Sequence, residues 1–142
     1  MAAELIQLAE ADQEALDDYL DEQGWSDGLP VVAPTPARVE AMMAGADRAP
    51  HHELGTMPPR QGVVVVETLA VNAVMAGCRP EHFAVVLTAV EAMLDPAFNL
   101  FAVQSTTHPC SPLVLVNGPV AAELGINARY GAFGPGVRAN AP

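Results

Sequence analysis

A histidine and a cysteine lie two positions apart in His108-Pro109-Cys110. In an extended segment alternate side chains share a face, so we expect the imidazole and the thiol to be neighbours. The pair suits a thiolate activated by an imidazolium, or N and S ligation of a transition metal such as zinc, copper or iron. We predict Cys110 as nucleophile or ligand, His108 as base or co-ligand, and Thr107 as a third catalytic residue. The non-catalytic alternative is a buried structural cysteine beside a hydrogen-bonded histidine.

A second group of metal donors, His51 and His52, lies in a proline-bounded stretch that we predict to be a loop over 46–61. Adjacent histidines diverge in regular structure, so they do not readily bind one ion together. If the loop folds over His108 and Cys110, a His/His/Cys metal site becomes available. The alternative is an ordinary solvated loop.

Substrate-binding candidates lie in the glycine-rich tail and on one apolar helix. The amides of a loop containing Gly134 and Gly136 can approach an anion closely, and Arg138 offers a forked donor for a carboxylate or phosphate. Asn72 stands among apolar neighbours, so we expect it to be buried and to need a polar partner, either structural or substrate. Cys78, next to Arg79, is a second candidate thiol, with a packed helix junction as the alternative.

The composition excludes several function classes. The chain has 142 residues, 51% of them hydrophobic, and its 6 basic residues against 17 acidic ones give a formal net charge of −11. All six basic residues are arginine, which excludes lysine Schiff-base chemistry and a P-loop lysine. The acidity disfavours nucleic acid and anionic membrane as partners. The start of the chain lacks the pattern of a signal peptide, so we expect a cytoplasmic protein.

The hydrophobic pattern predicts a single domain over 1–142 of α+β or α/β class, with helices early and short mixed strands late. Residues 1–24 form an acidic region with an amphipathic helix over 3–23. Thr35 and Pro36 have the types expected at a helix start. The remaining predicted elements are an extended piece at 31–32, strands at 63–66, 99–107 and 113–116, and helices at 67–76, 80–94 and 120–124. Residues 96–122 carry no charged side chain, but their prolines argue against a membrane span.

The last third of the chain looks like an incomplete domain. Its apolar strands lead into the glycine loop over 131–136, and few residues follow that could cover either. We therefore expect a second protein subunit to supply the missing layer. The alternative is a frayed tail on a self-sufficient domain.

Four longer motifs carry a resemblance to a known family. They are WSDGLPVV at 25–32, AVNAVMAGCRPEHF at 70–83, TTHPCSPLVLVNGP at 106–119 and GAFGPGVRANA at 131–141. The sequence resembles a largely uncharacterised family of bacterial proteins whose typical members are about twice this length. The resemblance implies that this chain is similar to the N-terminal half of such a protein. Typical members have a small apolar residue where Cys110 stands, so the thiol is either a specialisation of this protein or without significance.

Two functional hypotheses follow from these observations. The first is the small subunit of a heteromeric lyase or hydrolase, which acts on a small anionic substrate with a Cys/His site at the subunit interface. The second is a non-catalytic subunit that completes the fold of a catalytic partner and docks through the acidic helix at 3–23.

Overall fold

The computed structural model describes residues 6–7, 12–26, 28–133 and 137–140, and the chain divides into two compact units, Met1–Ala33 and Pro34–Pro142. The first unit contains helix α1 (Gln13–Glu22), which begins where the Asp12 carboxylate accepts the Ala15 N–H at 2.8 Å. The helix predicted over 3–23 therefore starts too early, since Ile6 and Gln7 are not helical. After the helix, Trp25 packs edge-on against Tyr19.

The second unit contains the remaining helices and a two-stranded sheet. Its elements are α2 (Pro36–Met43), β1 (Glu53–Met57), β2 (Gly62–Val65), α3 (Val66–Met75), α4 (Phe83–Leu94), α5 (Leu100–Ser105) and α6 (Pro119–Glu123). Short 3₁₀ turns lie at Pro80–His82, Pro96–Phe98 and Arg138–Asn140. The α+β class is confirmed, although the sheet lies in the middle of the chain rather than late.

The core of the second unit forms where α2, α3 and α4 pack in sequence and α4 also packs on β1. Helix α2 begins as predicted, with Thr35 as N-cap and Pro36 in its first turn. It buries Val39 and Met42, and Phe83 at the start of α4 is fully buried. Helices α2, α3 and α4 therefore share one apolar cluster.

The two strands form an antiparallel hairpin with Gly55 opposite Val64 and Met57 opposite Gly62. The predicted loop over 46–61 is wrong in its second half, because β1 occupies Glu53–Met57. A bulge lies between Glu53 and Gly55, and Gly55 has a φ of 147°. A Cβ at this position would contact Leu94 of α4 at 3.4 Å, so glycine allows the hairpin to lie close to the helix.

Two strands predicted late in the chain are absent from the described sheet. Residues 99–107 were expected to be extended, yet Asn99 adopts a left-handed φ of 56° and α5 follows it directly. Residues 113–116 contain no helix, turn or bend, but they pair with no strand among the described residues. The extended piece at 31–32 likewise joins no sheet in the described part of the chain.

The helices within the uncharged stretch over 96–122 are all short. Within the described ranges, no helix is both long and apolar enough to cross a bilayer.

Candidate functional site

A compact turn over residues 106–110 holds the predicted histidine and cysteine. Helix α5 ends at Ser105, and the Thr106 N–H donates to the Ala102 carbonyl at 3.1 Å. The Thr106 hydroxyl accepts the His108 N–H at 3.1 Å and lies 3.3 Å from His108 Nδ1. The Cys110 N–H donates to the His108 carbonyl at 2.8 Å. We call these five residues the 106–110 turn.

The bond between Cys110 and His108 closes a three-residue turn, so the segment is not a regular strand. The imidazole and the thiol therefore do not share a strand face, as had been expected for an extended segment. Both residues are exposed, so the alternative of a buried structural cysteine is wrong. The turn nonetheless presents the two side chains to solvent within the same short segment.

Thr106, not Thr107, is the residue that contacts His108. Thr107 was the predicted catalytic threonine, whereas the hydroxyl that lies against His108 belongs to the threonine two positions before it. A signal for this choice was present, since threonine hydroxyls commonly bond a backbone amide two residues ahead. Thr107 is exposed, and no hydrogen bond is recorded for it among the described residues.

The metal donors predicted at His51 and His52 do not gather with His108 and Cys110. In the described part of the chain, no group of three or more His, Cys, Asp or Glu side chains is placed to hold a metal ion. His51 Nδ1 instead lies 3.6 Å from a Glu67 carboxylate oxygen, while His52 is exposed. The His/His/Cys site is therefore not assembled within the described residues.

Asn72 is exposed on α3, which corrects the prediction that it is a buried polar group. Its Nδ2 donates to the Thr68 carbonyl one turn earlier at 2.8 Å, so the helix itself supplies the hydrogen-bond partner.

Cys78 is half-buried just after α3, and its N–H donates to the Ala73 carbonyl where Gly77 adopts a φ of 84°. This thiol therefore belongs to a packed helix junction.

The glycine-rich loop that was predicted to bind an anion spans residues 131–136, and only part of it is described. Gly134 and Gly136 lie outside the described residues, and Arg138 is described only as the start of the 3₁₀ turn Arg138–Asn140. The base of this loop is held by Asn140, which the sequence analysis missed. Its Oδ1 accepts the Asn127 N–H at 2.8 Å, and its Nδ2 donates to the Asn127 carbonyl at 3.0 Å.

An apolar surface follows the 106–110 turn directly. Leu113, Val114 and Leu115 are 63%, 51% and 80% exposed, and we call these three residues the 113–115 patch. Between residues 112–117 and helix α4 runs an open groove of about 580 Å³, whose α4 wall includes Val85, Ala89 and Met93. Among the residues that the structure describes, no charged side chain lines the groove. The candidate site thus consists of a polar turn beside a large exposed apolar surface.

No family model, curated protein or solved structure matches the chain. The resemblance to the bacterial family therefore stays a prediction.

Proposed function

We propose that this chain is one subunit of a heteromer and that a second protein subunit covers the 113–115 patch. The observation that carries the proposal is the exposure of three consecutive large aliphatic side chains in a segment that contains no helix, turn or bend. Single exposed apolar residues are common on protein surfaces, whereas contiguous apolar patches mark interaction sites.

The free energy available from burial of the 113–115 patch supports association with a partner. Full burial of a leucine or valine side chain stabilises by about 1.5–3 kcal/mol. Leu115 alone is 80% exposed, so nearly all of that contribution is available to a partner. Phe98, which is 38% exposed and lines the groove beside the patch, adds aromatic surface of the kind that is enriched in interfaces.

The enzymatic form of the proposal makes this chain the small subunit of a lyase or hydrolase that acts on a small anionic substrate. Cys110 acts as nucleophile or metal ligand and His108 as base or co-ligand, with Thr106 and Thr107 beside them. Support comes from the position of the 106–110 turn, which precedes the 113–115 patch by two residues and carries an exposed thiol and imidazole. A subunit bound to the patch would also cover the 106–110 turn and exclude water from it.

The loop over 131–136 and Arg138 supply the contacts to the anion in this proposal. Backbone amides and a guanidinium suit a carboxylate or a phosphate. Asn140 acts as a positioning residue here, because its hydrogen bonds to Asn127 hold the base of the loop.

The second candidate function is a non-catalytic subunit that completes the fold of a catalytic partner. The exposed 113–115 patch favours it equally, since covering the patch requires no chemistry from this chain. The two candidates differ in the expected effect of Cys110→Ala. Loss of turnover in an intact complex supports the enzymatic form, whereas full turnover supports the second candidate.

Native mass spectrometry tests the proposal. The chain is co-expressed with the protein encoded beside it, and the complex is sprayed from a volatile buffer at near-physiological ionic strength. We expect a defined heteromer, with bound metal visible as an added mass if Cys110 and His108 are ligands. A monodisperse monomer of this chain that melts cooperatively and does not bind the second protein contradicts the proposal.

A further inference from the structure

The exposed segment over residues 111–117 also indicates what kind of structure covers it. We propose that this segment is an unpaired β-strand which accepts an extended strand from a different, less acidic polypeptide. The inference rests on the proposed heteromer, and it adds the mode of recognition and the chemistry of the partner. The observations that carry it concern the backbone rather than the side chains.

The backbone of residues 111–117 has no hydrogen-bond partner recorded within the described ranges. Apart from Pro112, which lacks an N–H, each of these residues carries one donor and one acceptor. The segment contains no helix, turn or bend, so these groups follow one another along a chain without a sharp change of direction. Seven residues at about 3.3 Å per residue span the length of an ordinary strand.

The side chains of the segment have the pattern of a strand buried on both faces. Residues 113–116 are an uninterrupted aliphatic run, whereas a strand with one wet face alternates between apolar and polar residues. Leu113, Val114 and Leu115 are consecutive and all more than half exposed. Because successive strand residues point to opposite faces, neither face is covered along this run.

The groove beside α4 restricts the chemistry of the occupant further. It is open to about 580 Å³, and its lining side chains are apolar apart from Thr88 and Asn117. The Thr88 hydroxyl donates to the Ala84 carbonyl of its own helix at 2.8 Å, so its proton is already engaged. Side chains that enter the groove are therefore apolar.

Only a second strand meets both requirements. A lipid chain or a helix can cover apolar side chains, but the backbone of a helix is satisfied internally and a lipid chain offers no donors or acceptors. An extended peptide presents N–H and C=O groups at the spacing of the unpaired segment and places alternate side chains in the groove. Exposed strand edges recruit partners in this way.

Charge favours a different polypeptide over a second copy of this chain. A second copy would bring the same formal net charge of −11, and the two copies would repel each other at low ionic strength. Residues 111–117 themselves carry no charge, so the repulsion arises from the rest of the chain. A strand flanked by basic residues is instead attracted by the net negative charge of the chain as a whole.

A synthetic peptide tests the inference on the full-length chain. The probe is KKTVTVTVKK, and its binding is measured by calorimetry together with amide hydrogen exchange of residues 113–117. We expect binding with a dissociation constant of about 1 mM or tighter, with slowed exchange at these amides. Two analogues are each methylated on one of the two alternate sets of peptide nitrogens and keep their side chains. Because only one set faces the paired edge, methylation of that set should weaken binding about tenfold. The acidic analogue EETVTVTVEE should bind more weakly at low salt.

A substitution within residues 111–117 tests the same backbone hydrogen bonds by changing the protein instead of the peptide. Val114→Pro removes one N–H from the middle of the segment and should weaken binding of the probe about tenfold, whereas Tyr130→Ser, at a fully exposed aromatic outside the segment, should leave it unchanged. The N-methylated peptides need no variant, so they remain informative if Val114→Pro fails to fold.

The outcomes separate this inference from the proposed function. No binding of KKTVTVTVKK, or undiminished binding of both N-methylated analogues, overturns strand addition even when native mass spectrometry shows the heteromer. Dimers of this chain with protected amides at 113–117 overturn the choice of a different polypeptide. Failure of the heteromer itself removes the proposed function.

Discussion

The hydroxyl of Thr106 binds His108 at two points: it accepts the backbone N–H at 3.1 Å and lies 3.3 Å from ring atom Nδ1. A hydroxyl has one hydrogen and two lone pairs, so it can make both contacts at once. Thr106 therefore fixes the imidazole relative to the backbone of the 106–110 turn. Nε2 is left as the ring nitrogen without a recorded hydrogen bond among the described residues.

Replacing this hydroxyl should release the imidazole. Thr106→Val keeps the shape of the side chain but removes both contacts, whereas Thr106→Ser keeps the hydroxyl. We expect the ¹⁵N ring signals of His108 to shift in the valine variant and to stay near wild type in the serine variant. The cost in free energy of unfolding is about 0.5–1.5 kcal/mol. Identical ring spectra in all three proteins would show that the contact does not persist in solution.

The two thiols should differ in their reactivity with iodoacetamide. Cys110 is exposed and Cys78 is half-buried at a helix junction. We expect Cys110 to be labelled first at every pH, and mass spectrometry of timed samples measures the order. Cys110→Ser and Cys78→Ser serve as matched controls that isolate each rate. Faster labelling of Cys78 would contradict the packing described for the end of α3.

Local signals predicted several elements of the fold correctly. Thr35 and Pro36 mark the start of α2 because a capping hydroxyl and a fixed φ act within one turn. The prediction failed at β1, whose strand depends on pairing with β2 rather than on its own composition. It also failed at 99–107, where the left-handed Asn99 redirects the chain into α5. Such tertiary constraints leave no periodic trace in the sequence.

The candidate site was predicted only in part for related reasons. Residue types identified His108 and Cys110 and gave their proximity along the chain. The contact of Thr106 with the ring depends on a turn, which the residue types alone did not indicate. The separation of His51 from a metal site follows from its position near Glu67 on α3, at 3.6 Å, which only the folded chain determines.

The core of the second unit should be most sensitive at Phe83, which is fully buried. Phe83→Ala removes a large side chain that packing cannot replace, and should lower the free energy of unfolding by about 3–5 kcal/mol. Phe133→Ala is the matched control, because Phe133 is 92% exposed and its loss should change stability by less than about 0.5 kcal/mol. Urea denaturation measures both values. Equal effects would contradict the placement of α4.

Asn140 should hold the base of the glycine-rich loop. Asn140→Ala leaves the part-buried Asn127 N–H and carbonyl without their partner, which costs about 1–3 kcal/mol. Asn140→Asp keeps the acceptor but places a carboxylate oxygen against the Asn127 carbonyl, so it should be no better than alanine. Hydrogen exchange at the Asn127 amide reports the change. Asn72→Ala, at an exposed asparagine, is the control and should leave that exchange unaltered.

The most direct test of the heteromer compares Leu115→Ser with Tyr130→Ser in the complex with the second subunit. Both substitutions replace an exposed apolar side chain by a small polar one, but only Leu115 belongs to the 113–115 patch. We expect Leu115→Ser to raise the dissociation constant roughly tenfold or more, because about 1.5–3 kcal/mol of apolar burial is lost, and Tyr130→Ser to leave it unchanged. An unchanged dissociation constant for Leu115→Ser would contradict the claim that a partner covers this patch.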